Sequence, residues 1–158
     1  MSTVKENAAA LYTFFERAMD SLQSPLLLVV RLYWGWQFFQ AGWGKLGNIQ
    51  KVIGFFTSLG IPLPALNAYF VSGMECVGGV LLILGLFSRP IAALLAFDMI
   101  VAYVTADREA LFSFFSDPGK FYDATPYTFL FASLLILVFG PGRVAVDALI
   151  ASRKQKAS

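Results

Sequence analysis

A chain of 158 residues with 58% hydrophobic and 14% charged side chains is oilier than a soluble domain, which carries about 45–50% apolar and about 25% charged residues. A mean hydropathy of +0.67, with apolar runs recurring from end to end, indicates an all-α integral membrane protein. The formal charge of +2 carries no nucleic-acid signature, and one cysteine with no histidine rules out an intrachain disulfide, a CxxC pair, bis-histidine haem and an ordinary zinc site.

Residues 1–24 have neither the short apolar core nor the small-residue cleavage site of a secretory signal, and are expected to be retained. Leu11, Phe14, Phe15, Ala18, Met19 and Leu22 recur at helical spacing, with Glu16, Arg17, Asp20 and Gln23 largely opposite; this predicts a helix lying in the membrane surface. Proline then punctuates the chain. Its missing N–H costs nothing in a first helical turn, so Ser24-Pro25, Pro64, Ser88 with Pro90, and Thr125-Pro126 mark four starts. The predicted spans are 25–43, 64–86, 90–106 and about 122–139, set against the roughly 20 residues that cross about 30 Å of hydrocarbon. The last reaches full length only by including Asp123. Between the first two, Ile49, Val52, Ile53 and Phe56 predict a second interfacial helix. Gly140 to Arg143, "GPGR", stops the fourth span, and 140–158 form a tail.

Lysine and arginine fix the expected orientation. Lys5, Arg17, Arg89, Arg143, Arg153, Lys154 and Lys156 fall on the side holding both termini, against Lys45, Lys51, Arg108 and Lys120 on the other. This excess places both termini in the cytoplasm. In the last outer loop, Phe112, Phe114, Phe115, Phe121 and Tyr122 read most simply as an aromatic belt at the headgroups.

Three ionisable residues lie inside the spans: Arg31, Glu75 and Asp98. Counted from the cytoplasmic ends at about 1.5 Å per residue, they sit about 9, 17 and 12 Å deep. Their heads are therefore expected to converge, because a charge left in lipid costs at least about 2.5–3.5 kcal/mol. One arginine needs only one carboxylate, so Glu75 and Asp98 are the candidate catalytic, proton-handling groups and Arg31 their buried counter-charge. The competing reading is an ion cluster that fixes helix register alone. Tyr33, Trp34 and Trp36 are the candidate walls of a quinone pocket, against a plain packing or lipid-facing role. Gly78, Gly79, the Ser72/Cys76 pair and the Ala92/Ala96 pair predict close helix approach.

The segments "FQAGWGKL", "FFTSLGIPLPALNAYFVSGMECVGGVLLILGLFSRPIAALLA" and "LVFGPGRVAVDALI", in that order behind a span with an internal arginine, resemble the DoxX family of small four-helix membrane proteins. The similarity runs from about Leu26 to Ile150. Arg31, Lys45, Glu75, Gly78, Gly79 and Asp147 match family pattern positions, whereas Asp98 does not. The resemblance implies a four-transmembrane-helix bundle in the prokaryotic cytoplasmic membrane. Some relatives are subunits of a thiosulfate:quinone oxidoreductase, and the family carries over no catalytic residue.

Three functions follow as expectations. The first is a membrane subunit of a quinone-linked redox system, with no covalent cofactor and the redox centre on another subunit or on the quinone. The second is a small proton- or solute-handling carrier. The third is a structural or anchoring subunit, in which the basic tail docks a soluble partner or anionic lipid. The expected partners are the lipid bilayer, other subunits or further copies of the chain, and a quinone; no nucleic acid is expected.

Overall fold

The computed structural model describes residues 2–157, and side chains over 11–153. Lys5, Lys154 and Lys156 of the charge tally lie outside the described side chains. Eight helices and no strand occur among the described residues: α1 (Ser2–Gly47), α2 (Ile49–Ser58), α3 (Pro64–Leu84), α4 (Ser88–Thr105), α5 (Arg108–Phe112), α6 (Pro118–Asp123), α7 (Pro126–Phe139) and α8 (Val146–Ala157). Two of them, α3 and α4, are long and apolar enough to cross a membrane.

The four principal helices close into a ring: α1 packs on α3, α3 on α4, α4 on α7, and α7 returns to α1. Each contributes one narrow buried stripe. On α3 the stripe is Ala68, Ser72, Glu75, Gly78, Gly79 and Leu82, a spacing of three or four that keeps one face inward. Phe38, Leu82, Ala92, Leu95, Met99 and Ile136 meet at its centre. Most other large apolar side chains are exposed, including Val29, Phe70, Val77, Phe97 and Val138, the pattern of helices solvated by lipid rather than by water.

Two helix boundaries differ from expectation. Pro25 does not start a helix but lies inside the 46-residue α1. The Ser24 hydroxyl, expected as a cap, instead accepts the Arg143 backbone N–H at 2.6 Å, so it anchors the loop after α7 while α1 runs through. Pro126 does break its helix. Ala124 is extended (φ −65°, ψ 132°) between α6 and α7, because the proline ring clashes with a preceding helical turn; α7 is therefore 14 residues long, shorter than the predicted 122–139.

The α5–α6 region carries the loop aromatics in two groups. Phe121 stacks on Tyr103 at 5.0 Å and meets Phe114 at 4.8 Å, while the Tyr103 hydroxyl donates to the Phe121 carbonyl at 2.7 Å. Phe112 and Phe115 are exposed.

Candidate functional site

The inward stripe of α1 runs Leu27, Arg31, Gly35, Phe38, Gly42 and Lys45. Glycine at 35 and 42 lets α1 and α3 touch backbone to backbone. A Cβ on Gly35 would stand 2.9 Å from the Gly79 carbonyl oxygen, and one on Gly42 would strike the backbone of Ser72 and Cys76. Gly79 is equally tight, with Gly35 and Phe39 backbone atoms 2.5 Å from any added Cβ. The expected Gly79 and Ser72/Cys76 contacts are therefore real, with Gly35 and Gly42 as their partners, whereas Gly78 faces Leu95 and Ile91 of α4. Cys76 is a free thiol at this packed crossing.

This close crossing sets two cations against α3, Arg31 at its last turn and Lys45 near its middle, 14 residues and about 21 Å apart along α1 at about 1.5 Å per residue. Lys45 Nζ donates to both oxygens of Glu75, at 2.6 and 2.7 Å. The lysine side chain keeps 35% of its surface, the glutamate 2%. Asp98 of α4 completes the group: it is buried and its carboxyl lies within hydrogen-bonding reach of Glu75. Its Oδ2 is enclosed with no donor in range.

These three residues form the polar floor of a cavity of about 540 Å³. Val52, Phe55, Phe56 and Leu59 of α2 wall one side, with Val71 of α3 and Met99, Val101 and Ala102 of α4 facing them. Lys51, Asn67 and Thr105 are the remaining polar lining. Asn67 and Thr105 stand 8 and 7 residues from Glu75 and Asp98, which puts them about 10–12 Å along the helix axes from the floor. Apolar walls with a few convergent polar groups at one end are the usual form of a small-molecule site.

Of the predicted cluster, the structure unites Glu75 with Asp98 and separates both from Arg31. The Arg31 guanidinium is spent on backbone: Nε donates to Leu82 O at 2.9 Å, Nη1 to Pro141 O at 2.6 Å, and Nη2 to Val144 O at 2.9 Å and Ile83 O at 3.4 Å. Leu82 and Ile83 belong to the last turn of α3, where helical carbonyls lack donors and the helix dipole is negative. The guanidinium fork satisfies these and the loop carbonyls together. The expected counter-charge role is thus corrected: Lys45, two residues beyond the predicted end of the first span, holds it. The spacing of the α1 stripe was the available signal.

Asp147 completes the Arg31 end. Its oxygens accept the Phe87 and Ser88 backbone N–H groups, each at 2.9 Å, and its own N–H returns to Gly85 O at 2.9 Å. The carboxylate therefore caps α4, beginning next to Phe87, whose backbone is left-handed (φ 50°). Burial works to raise the Asp147 pKa, but the Ser88 and Phe87 amides and the nearby Arg31 charge outweigh it and hold the group below its ordinary value.

Nor do the predicted aromatic walls reach the cavity. Tyr33 and Trp36 are half exposed, and Trp34 packs edge-on against Phe129 at 5.1 Å. Phe55 and Phe56 of α2 supply the aromatic surface instead.

Comparison with known proteins gives three relatives and one family. The family model described as DoxX matches residues 26–108. "Putative oxidoreductase CatD" of Bacillus subtilis is 36% identical over 85 residues, 54% of this chain and 62% of that protein's length. "Inner membrane protein YphA" of Escherichia coli is 28% identical over 125 residues, 77% and 88% of the two chains. "Uncharacterized membrane protein Rv3486" of Mycobacterium tuberculosis is 29% identical over 149 residues, 87% and 88%. No solved structure matches.

Proposed function

The chain belongs to the DoxX family of membrane proteins, and from that premise we propose that it is the membrane subunit of a quinone-linked redox system, with the Lys45–Glu75–Asp98 cavity as its quinone site. In this reading α1, α3, α4 and α7 cross the prokaryotic inner membrane with both termini in the cytoplasm, and the redox partner is another subunit. The observation that carries it is the pairing of an apolar cavity of about 540 Å³ with a floor of one ammonium and two carboxyl groups. A quinone needs this combination: apolar walls for ring and tail, a donor for a carbonyl oxygen, and a group able to exchange a proton. The oxidoreductase in the name of the CatD relative leans the same way.

An ammonium has three N–H donors, and Glu75 engages two, so one is left for a ligand oxygen. Asp98 and Glu75 cannot both be bare acceptors across a hydrogen bond; one proton belongs between them, making the three-residue floor neutral. The protein part of the chemistry is to bind the ring, keep water from it and hold that proton. Titrating a short-chain quinone into the protein in nanodiscs tests the reading. Saturable binding lost in Ala102→Phe, which fills the cavity, and weakened at least about tenfold in Glu75→Gln, about 1.4 kcal/mol, supports it; binding indifferent to both removes it.

A further inference from the structure

We propose that the proton held between Asp98 and Glu75 decides which form of the ring this cavity accepts: the carbonyl form when the proton is present, the hydroxyl form when it is gone. The inference rests on the quinone reading above and concerns binding alone. It starts from an unusual hydrogen-bond inventory. Both Glu75 oxygens are occupied by Lys45, yet the Asp98 carboxyl approaches the same glutamate, and Asp98 Oδ2 is enclosed without a donor. Acceptor faces acceptor, and a single hydrogen is missing.

That hydrogen has two sources. With a proton on the pair, Asp98 is a donor. That O–H closes the contact with Glu75 and leaves no charged acceptor bare, so a ring carbonyl, which only accepts, is served by the free Lys45 N–H. Without the proton, two carboxylates face each other beside one ammonium, with a net charge of minus one in an apolar cavity. A ligand hydroxyl then brings the absent hydrogen itself: it donates to the Asp98–Glu75 pair and accepts from Lys45. A carbonyl ligand offers nothing to that pair, and leaves a buried charged acceptor unsatisfied.

The charged groups around Asp98 are Lys45 on α1, Lys51 on α2 and Glu75 on α3; on α4 itself, the next titratable group is Tyr103, more than a turn away and bonded to Phe121. The pair is therefore the one proton-exchanging element at the floor. Carbonyl binding takes up a proton wherever the free pair has lost it, whereas hydroxyl binding does not.

Calorimetry on the full chain in nanodiscs decides the matter, using a decyl-substituted benzoquinone, its hydroquinone under argon, and the bis-O-methyl ether of that hydroquinone. Between about pH 6 and about pH 8 neither redox form of the ring ionises. The affinity ratio of hydroquinone to quinone is expected to rise with pH, by up to about tenfold per unit where the pair titrates. Quinone binding in buffers of different ionisation heat should take up as much as one proton. The ether should bind at least about tenfold more weakly than the hydroquinone at the upper pH. Asp98→Asn, whose amide always offers both donor and acceptor, should hold the ratio constant; if it does not fold, proton uptake by the natural protein decides alone. A ratio independent of pH without proton uptake, in a protein that still loses both ligands in Ala102→Phe, overturns this inference and leaves the quinone site standing. Failure of both the quinone and the hydroquinone to bind overturns the site as well.

Discussion

Helix α1 carries two inward cations on one stripe, and α3 treats them in opposite ways. Arg31 lies against the C-terminal turn of α3 and is satisfied wholly by carbonyl oxygens. Lys45 lies beside the middle of α3, where helical carbonyls are already used, and must find a side-chain anion, Glu75. The difference follows from residue type as well as place. A planar five-donor fork suits several fixed acceptors, whereas a compact ammonium suits one carboxylate and keeps a donor to spare. Both regions border a cavity, since Pro141 and Asp147 beside the guanidinium line one of about 490 Å³, but only the Lys45 group keeps an N–H and an unpartnered carboxyl oxygen at its cavity. A buried charge is thus a sign of function only when its partners leave something unfinished.

The strongest way to break this comparison is at Arg31. Arg31→Met strands carbonyls of the α3 end and the Gly140–Val144 loop, and is expected to destabilise the protein by on the order of 3–5 kcal/mol. Arg31→Lys should recover little, since a point charge cannot reach the same spread of acceptors. Denaturation in mixed micelles followed by circular dichroism measures both. Wild-type stability in either variant would show the carbonyl cage to be incidental.

Next in size is the helix crossing that aligns the two regions. Gly42→Ala places a methyl group against the Cys76 and Ser72 backbone, which cannot move as a side chain tip can. A loss of about 1–3 kcal/mol is expected, with Lys45 displaced from Glu75. Gly44→Ala, where an added Cβ meets nothing, is the control and should be neutral or better, because alanine favours the helix.

At the Lys45 end the effect on stability should be smaller than the effect on binding. Lys45→Met and Glu75→Gln each leave one buried or half-buried polar partner, at about 1–3 kcal/mol. The double variant should regain part of this while still failing to bind quinone. Equal binding by the double variant and the natural protein would reduce the pair to a packing device.

How much of this was legible follows the same division. Helical periodicity and prolines placed α2, α3 and α4 closely, because those cues act within a segment. Pro25 misled because the Ser24 hydroxyl is claimed by Arg143, 119 residues away, a use no local pattern records. Glu75 and Asp98 stood out as acids in apolar runs. Their cation did not, because Lys45 sits past the apolar run, on a helix that continues to Gly47. Arg31 stood out for the right reason and was given the wrong partners: a sequence displays acidic side chains but not which backbone carbonyls a helix end leaves free. The cavity walls were missed likewise, since α2 read as a surface helix, and its Phe55 and Phe56 become the wall of a cavity only once α3 and α4 are in place.

The smallest effect sharpens the Arg31 side through pH. Asp147 has its pKa lowered in the folded protein, so the cap it provides contributes fully above the unfolded carboxylate value, about 3.9, and is lost as pH falls through the lower folded value. Neutral to mildly acidic solution should leave it unchanged; destabilisation assigned to this group begins only below about pH 4. Asp147→Asn removes the charge but keeps one acceptor for Phe87 or Ser88, and should cost about 1 kcal/mol, in the range of a weakened helix cap. The variant should also flatten the acid limb of the stability curve. An acid limb of unchanged steepness would assign that titration to other carboxylates, and would leave Asp147 holding α4 by geometry without a charge-dependent share.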